Sequence, residues 1–350
     1  MNFNFASRTA KMNGTATREI FKLLSRPEIV SFAGGLPANE CLPLEQVRAI
    51  TEELLEGDFR PYLQYGTTEG FPALREQIAA YIRARGITDF REENLMTLSG
   101  GQQGIDLVFK AFIEKGDVVL VEDPTYLAVL SILDTYEGRA VGVRSCDAGL
   151  DPDDLEAKIK RYKPKILYVV PTFSNPTGRT YTAENRKAIA ALTAKYGVLT
   201  VEDDPYSLLR FSGDPVPPLK SFDTAGNVLY ITSFSKIISP GLRVGAAVGA
   251  PEVIRYMVVG KQGTDLHTSN LSQMIVAEYL RKGYLFPNVE KSLPIYRTRK
   301  QAMMQAIAAH MPEEFAHTDP DGGLFVWGEL PSSVDTVQLL PEAIARNVAY

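Results

Sequence analysis

Two stretches decide how this chain folds: Val198–Glu202 (VLTVE), running into Asp203-Asp204-Pro205-Tyr206, and Val228–Thr232 (VLYIT), running into Ser233-Phe234-Ser235-Lys236. Each is a short, mostly apolar run that ends in charged or hydroxyl-bearing residues. Such runs suit strands buried on both faces of a largely parallel sheet. Val118–Glu122 (VVLVE) and Ile166–Val170 (ILYVV) repeat the pattern. Helical stretches lie between them. Pro72 to Arg85 has proline in its first turn and stops at Gly86, Asp153–Arg161 is similar, and Thr182–Tyr196 stops at Gly197. Strand, helix, strand in this order predicts an α/β fold with helices on both faces of the sheet.

The two ends read differently. Residues 1–45 hold one short helical pattern near Thr17–Leu24, then the Gly- and Pro-rich Ala33-Gly34-Gly35-Leu36-Pro37. Beyond Lys282 come a long helical stretch, a strand-like Leu324–Trp327 (LFVW), a helix start near Ser333, and an apolar Asn347–Tyr350 that reads as the start of a strand. The expected division is an N-terminal arm with part of a small domain (1–45), a large domain (46–282), and the C-terminal part of a small α+β domain (283–350).

Acidic residues outnumber basic ones by 42 to 37, which argues against a general nucleic-acid surface. No apolar run approaches a membrane span, and MNFNFASRTAKMNG lacks the apolar core of a signal peptide. Two cysteines, Cys41 and Cys146, are too few for a disulfide framework. A soluble cytoplasmic protein is expected. His267 has no second ligand nearby in sequence, so no metal site is expected.

In open α/β sheets, ligands bind beyond the carboxyl ends of the strands. There the sequence offers Lys236 after one strand, Asn175 in NPTG after another, and Asp203 with Tyr206 after a third. Ser99-Gly100-Gly101-Gln102 precedes a helix expected at Gln103–Glu114. A Gly-rich turn opening a helix has free N–H groups and a positive dipole end, which suits a phosphate. Ser233, Ser235 and Arg243 can add donors to it. An Asp beneath a pyridine nitrogen keeps that nitrogen protonated, and a Lys at a dry strand end can form an imine. Singly, SFSK reads as a solvated loop and NPTG as a turn. Jointly, the intervals from Asn175 to Asp203 and from Asp203 to Lys236 each have room for a crossover, so all can meet at one sheet edge.

At this point the chain resembles the fold-type-I pyridoxal-phosphate enzymes of the class I/II aminotransferases, and most of all the branch containing 2-aminoadipate, kynurenine and related broad-specificity aminotransferases. The shared wording includes SFAGGLP at 31–37, LQYGTTEGFPALREQIA at 63–79, LSGGQQGIDLV at 98–108 and EDPTY at 122–126. It continues through PTFSNPTG at 171–178, VEDDPY at 201–206, SFSKIISPGLRVG at 233–245, KQGTDLHTS at 261–269 and GGLFVW at 322–327. The resemblance implies a large domain with a mostly parallel seven-stranded sheet and a smaller α+β domain. It implies pyridoxal 5′-phosphate held as a Schiff base by Lys236, which then shuttles a proton between the substrate and the cofactor. Asp203 is expected to pair with the ring nitrogen and Asp204, on the opposite strand face, to be structural. Tyr206 and Asn175 are expected at the ring hydroxyl and Tyr126 on the ring face. Gly101, Gln102, Ser233, Ser235 and Arg243 are expected at the phosphate.

Tyr65 matches a tyrosine that reaches the phosphate of the neighbouring subunit, which implies a homodimer with shared active sites; as a core aromatic beside Tyr62 it would imply nothing of the kind. Gly35 matches a position where backbone lies against the substrate carboxylate, and Arg18 one that can meet an acidic substrate side chain. The activity implied is ping-pong transfer of an amino group from 2-aminoadipate, leucine, an aromatic or a glutamate-like amino acid to a 2-oxo acid such as 2-oxoglutarate. Lyase or decarboxylase chemistry on the same cofactor is the competing reading. A transcription regulator with an aminotransferase-like sensing domain is a further one, disfavoured by the acidic charge and by a likeness that begins near residue 8. Three departures stand out. The family continues beyond Tyr350 through an Arg that grips the substrate carboxylate, so this sequence is expected to be a piece of a longer protein. Pro205 and Gly101 replace a small non-proline residue and a Ser or Thr.

Overall fold

The computed structural model describes residues 3–11 and 26–350. The helix expected near Thr17–Leu24, with Arg18, lies outside the described residues. In chain order the first strands are β1 (Val30–Ser31), β2 (Leu95–Leu98), β3 (Val118–Asp123), β4 (Arg139–Cys146) and β5 (Gly149–Leu150). They are followed by β6 (Ile166–Val169), β7 (Leu199–Asp204), β8 (Val228–Ser233) and β9 (Gly245–Val248). All but β1 join one sheet in the order β2-β9-β8-β7-β6-β3-β4-β5. From β8 through β7, β6 and β3 to β4 every pairing is parallel. Strand β9 runs antiparallel to both β2 and β8, and β5 closes the far edge antiparallel on β4. The seven longer strands match the number that the family resemblance implies, and four of them, β3, β6, β7 and β8, are the runs read from the sequence. The eighth, β5, is two residues long, too short for a pattern of its own.

Strands β6, β7 and β8 are buried at every residue, including the polar residues that end β7 and β8. The period of two places Asp203 and Asp204, the last residues of β7, on opposite faces. Helix ends follow local chemistry. Thr182 caps Ala183–Tyr196 by accepting from the Asn185 amide at 3.2 Å, and Gly197 ends that helix at φ +66°.

Most elements shift by a residue or two from the sequence reading, and three differences stand out. The helix expected at Gln103–Glu114 spans Gly101–Phe112, because Gly100 makes the turn at φ +84° and Gly101 is already helical. The helix expected from Ser333 spans Thr336–Ala345, capped by Asp335, whose carboxylate accepts from the Val337 amide at 2.9 Å. Leu324–Trp327 forms no strand. The ladder lies beside it, where Ala316–His317 pairs antiparallel with Gly328–Glu329. Val348–Ala349 is a strand, paired in parallel with β1, and the Phe32 amide donates to the Ala349 carbonyl at 2.7 Å. Among the described residues, no helix is long and apolar enough to cross a membrane.

Candidate active site

A cavity of about 830 Å³ opens where β6, β7 and β8 end. Asp203 and Tyr206 reach it from β7, Ser233, Ser235 and Lys236 from β8, and Asn175 from the loop after β6. Gly101, Gln102, Tyr126, Arg243 and Gly35 line its wall as well. Tyr65 is not in the wall. It is 78% exposed and meets His267 edge-on at 6.0 Å. Arg18 lies outside the described residues.

Lys236 follows β8 by three residues, and its amine donates to the Gly35 carbonyl at 2.6 Å. Burial, helped by the nearby Arg243 charge, lowers its pKa from 10.5 to about 8. A neutral amine, the form that can attack a carbonyl, is therefore accessible near neutral pH.

Asp203 is buried and accepts a hydrogen bond from the Tyr168 hydroxyl at 2.8 Å. Burial pushes its pKa up to about 7; the Tyr168 bond opposes this and the charge of Asp204 adds to it. None of the groups that shift it is a cation. A buried carboxyl in that state gains most from a positively charged neighbour. Tyr206 packs edge-on against Phe325 with ring centroids 5.7 Å apart. Burial and then the Asp203 charge raise its hydroxyl pKa, against which a hydrogen bond with Asn175 acts.

Opposite these residues is the start of the 12-residue helix Gly101–Phe112, which has no acidic residue in its first turn. Arg243 donates to the Ser99 carbonyl at 3.2 Å, and a Cβ at Gly100 would overlap that guanidinium. The Ser235 amide and hydroxyl both face the Ser233 hydroxyl, at 3.2 and 3.0 Å. Free helix N–H groups, two hydroxyls and a guanidinium form a cradle for a phosphate. This cradle and the carboxyl of Asp203, which no cation pairs, line the same cavity, the two groups that a phosphorylated ring with a basic nitrogen calls for. The donor set therefore suits pyridoxal phosphate.

Three contributors escaped sequence reasoning. Tyr168 sits inside an apolar strand run and orients Asp203. Glu122, the last residue of the VVLVE run, accepts from the Val170 amide at 3.0 Å, the Ser174 hydroxyl at 2.9 Å and the Tyr181 hydroxyl at 2.7 Å. It thereby ties the end of β3, which leads to Tyr126, to the loop that carries Asn175. Arg85 pairs with Asp204 at 3.3 Å, and the Tyr230 hydroxyl donates to the same carboxylate at 2.8 Å. Asp204 is thus bound into the structure on the face away from Asp203.

The model of the aminotransferase class I and II family matches residues 34–348, and the chain belongs to that family of pyridoxal-phosphate-dependent transferases of fold type I. Among its relatives, aromatic-amino-acid aminotransferase 1 of Thermococcus litoralis is 41% identical over 351 residues, covering 99% of this chain and 84% of the relative. The crystal structure of Pyrococcus horikoshii kynurenine aminotransferase superposes with a TM-score of 0.94 at 39% identity, covering 99% of this chain and 87% of that one. The α-aminoadipate aminotransferase of Thermus thermophilus, crystallised with N-(5′-phosphopyridoxyl)-L-leucine, gives 0.91 at 36% identity, covering 99% and 86%.

Proposed function

We propose that this aminotransferase moves the amino group of an α-amino acid to a 2-oxo acid such as 2-oxoglutarate, in two half-reactions that share one site, with Lys236 as covalent anchor and proton carrier. The observation that carries this is the Lys236 amine, with its pKa lowered to about 8, in the same cavity as Asp203 and the Gly-rich helix start. Bound pyridoxal phosphate supplies an electron-accepting ring and a reactive carbonyl carbon. Asp203, oriented by Tyr168, holds a proton on the ring nitrogen. Tyr206 and Asn175 bind the ring oxygen, Tyr126 is assigned to the ring face, and Gly101, Gln102, Ser233, Ser235 and Arg243 grip the phosphate. Lys236 would take the proton from the substrate α-carbon, the electron pair left behind being the one the bound ring would accept.

Phe325, Trp327, Leu127 and Ile132 line the cavity and favour leucine or aromatic donors. Gly35 faces the substrate carboxylate, and Arg18 is assigned to the acidic side chain of 2-aminoadipate or a glutamate-like donor. Tyr65, exposed here, is assigned to the phosphate of a partner subunit in a homodimer. Residues 46–282 form the cofactor-binding domain and the flanking segments a small domain, in a cytoplasmic enzyme.

An absorbance scan tests the reading. The purified enzyme should show a visible band that amino acids remove and 2-oxoglutarate restores. A band that persists in Lys236→Ala overturns the anchor; ammonia or CO₂ release without 2-oxoglutarate sinks transamination in favour of lyase chemistry.

A further inference from the structure

Behind the Gly-rich turn, outside the cavity wall, lies a polar cluster with a buried lysine at its inner end and the partly exposed Asp265 at its outer end. Lys261, on the last turn of the helix Pro251–Gln262, is completely buried. Its amine donates to Gln103 Oε1 at 2.6 Å and to the two oxygens of Asp265 at 2.9 and 3.0 Å. Asp265 Oδ2 also accepts from the Ser99 hydroxyl and from Gln103 Nε2, both at 2.7 Å. Gln103 Oε1 accepts from the Ser99 amide at 2.8 Å. Every polar group of Ser99 is thus held: the amide by Gln103, the hydroxyl by Asp265, the carbonyl by Arg243.

Ser99 precedes Gly100 and Gly101, and two consecutive glycines have little conformational preference of their own. The turn they form must be fixed from outside, and this cluster fixes it. The charges matter as well. Asp265 places a carboxylate next to a turn whose free N–H groups suit an anion, and Lys261 cancels that charge from the buried side. Burial lowers the Lys261 pKa while its bond to Asp265 works the other way.

We infer that Lys261 is a positioning residue for the cofactor phosphate, acting through Asp265 and Gln103 on the Ser99-Gly100-Gly101 turn and on Arg243. The inference rests on the assignment of the phosphate to that turn. Its signature is selectivity: losing Lys261 should weaken ligands that carry the phosphate and spare those that do not.

Affinities of the cofactor-free enzyme for pyridoxal phosphate and for pyridoxal, with inorganic phosphate as competitor, provide the test. Lys261→Met should weaken pyridoxal phosphate and inorganic phosphate by at least about tenfold and change pyridoxal by less than about threefold. Lys261→Met alone leaves Asp265 without its counter-ion at a cost to stability, so Lys261→Met/Asp265→Asn is measured beside it. The double variant should melt close to the wild type yet keep the selective loss of phosphate affinity. Equal losses for both cofactor forms, or none, overturn the inference alone. A wild-type enzyme that binds pyridoxal as tightly as pyridoxal phosphate removes the phosphate assignment itself, and the inference with it.

Discussion

The Tyr168 hydroxyl donates to Oδ2 of Asp203 at 2.8 Å from the adjacent parallel strand, and it opposes the burial that drives the Asp203 pKa up. Asp203 is therefore oriented by a neutral partner and paired with no cation, so a protonated ring nitrogen is the neighbour that would draw it into the charged form. Asp203→Asn should lower kcat/KM by on the order of 10²- to 10³-fold while the protein still folds. Tyr168→Phe, which removes one hydrogen bond to a carboxylate, should cost about tenfold. Steady-state kinetics at saturating cofactor distinguish the two, and equal effects would contradict the assigned roles.

Arg85 and Asp204 form the largely buried ion pair on the other face, with side chains 13% and 3% exposed. Arg85→Met strands the carboxylate, and such a loss costs about 3–5 kcal/mol. Urea denaturation should show it, with kcat per folded molecule little changed. A loss below about 1 kcal/mol would mean that the Tyr230 and Ser207 hydroxyls, at 2.8 and 2.9 Å, hold Asp204 unaided.

The lowered pKa of Lys236 has a direct pH signature. Burial and the Arg243 charge both disfavour the ammonium form, so in the cofactor-free enzyme the amine becomes neutral as pH rises through about 8 rather than 10.5. Acylation of Lys236, followed by peptide mass spectrometry, should be half-maximal near pH 8. Arg243→Gln removes a positive charge, favours the ammonium and should move that midpoint upward. A midpoint near 10.5 in the wild type would refute the burial argument.

Gly100→Ala tests the cradle from its visible side. The backbone there has φ +84°, which an alanine adopts only under strain, and the new Cβ would displace the Arg243 guanidinium. Affinity for pyridoxal phosphate should drop by about tenfold or more. Gly86→Ala, also at positive φ but with open space around it, should leave that affinity unchanged. Titration of the visible band compares them.

Sequence reading succeeded where composition and geometry coincide. Short, mostly apolar runs gave β3, β6, β7 and β8, and residues that follow or end them line one cavity. It failed where a short pattern needs a partner that sequence does not reveal. Leu324–Trp327 is apolar enough for a strand, but Phe325 packs on Tyr206 and the ladder forms at Gly328–Glu329 instead. Tyr168 and Lys261 were missed for a related reason. A tyrosine in an apolar run and a lysine on an amphipathic helix look like core and surface, and only the tertiary fold puts Asp203 beside one and Ser99 beside the other. Glu122 left a legible signal, because a carboxylate closing a buried run has to be satisfied by hydrogen bonds.

The alternation along β7 also limits what the gene can tolerate. Asp203 and Asp204 are chemically the same side chain, told apart only by which way the strand turns each of them. Deleting one codon between Leu199 and Asp203 would turn Asp204 toward the cavity and bring Pro205 opposite Arg85, while inserting one would turn Asp203 toward Arg85 and leave Glu202 in the cavity position. Length variants should therefore be purged from this strand far more severely than substitutions at either aspartate's neighbours, even though no residue type would be lost.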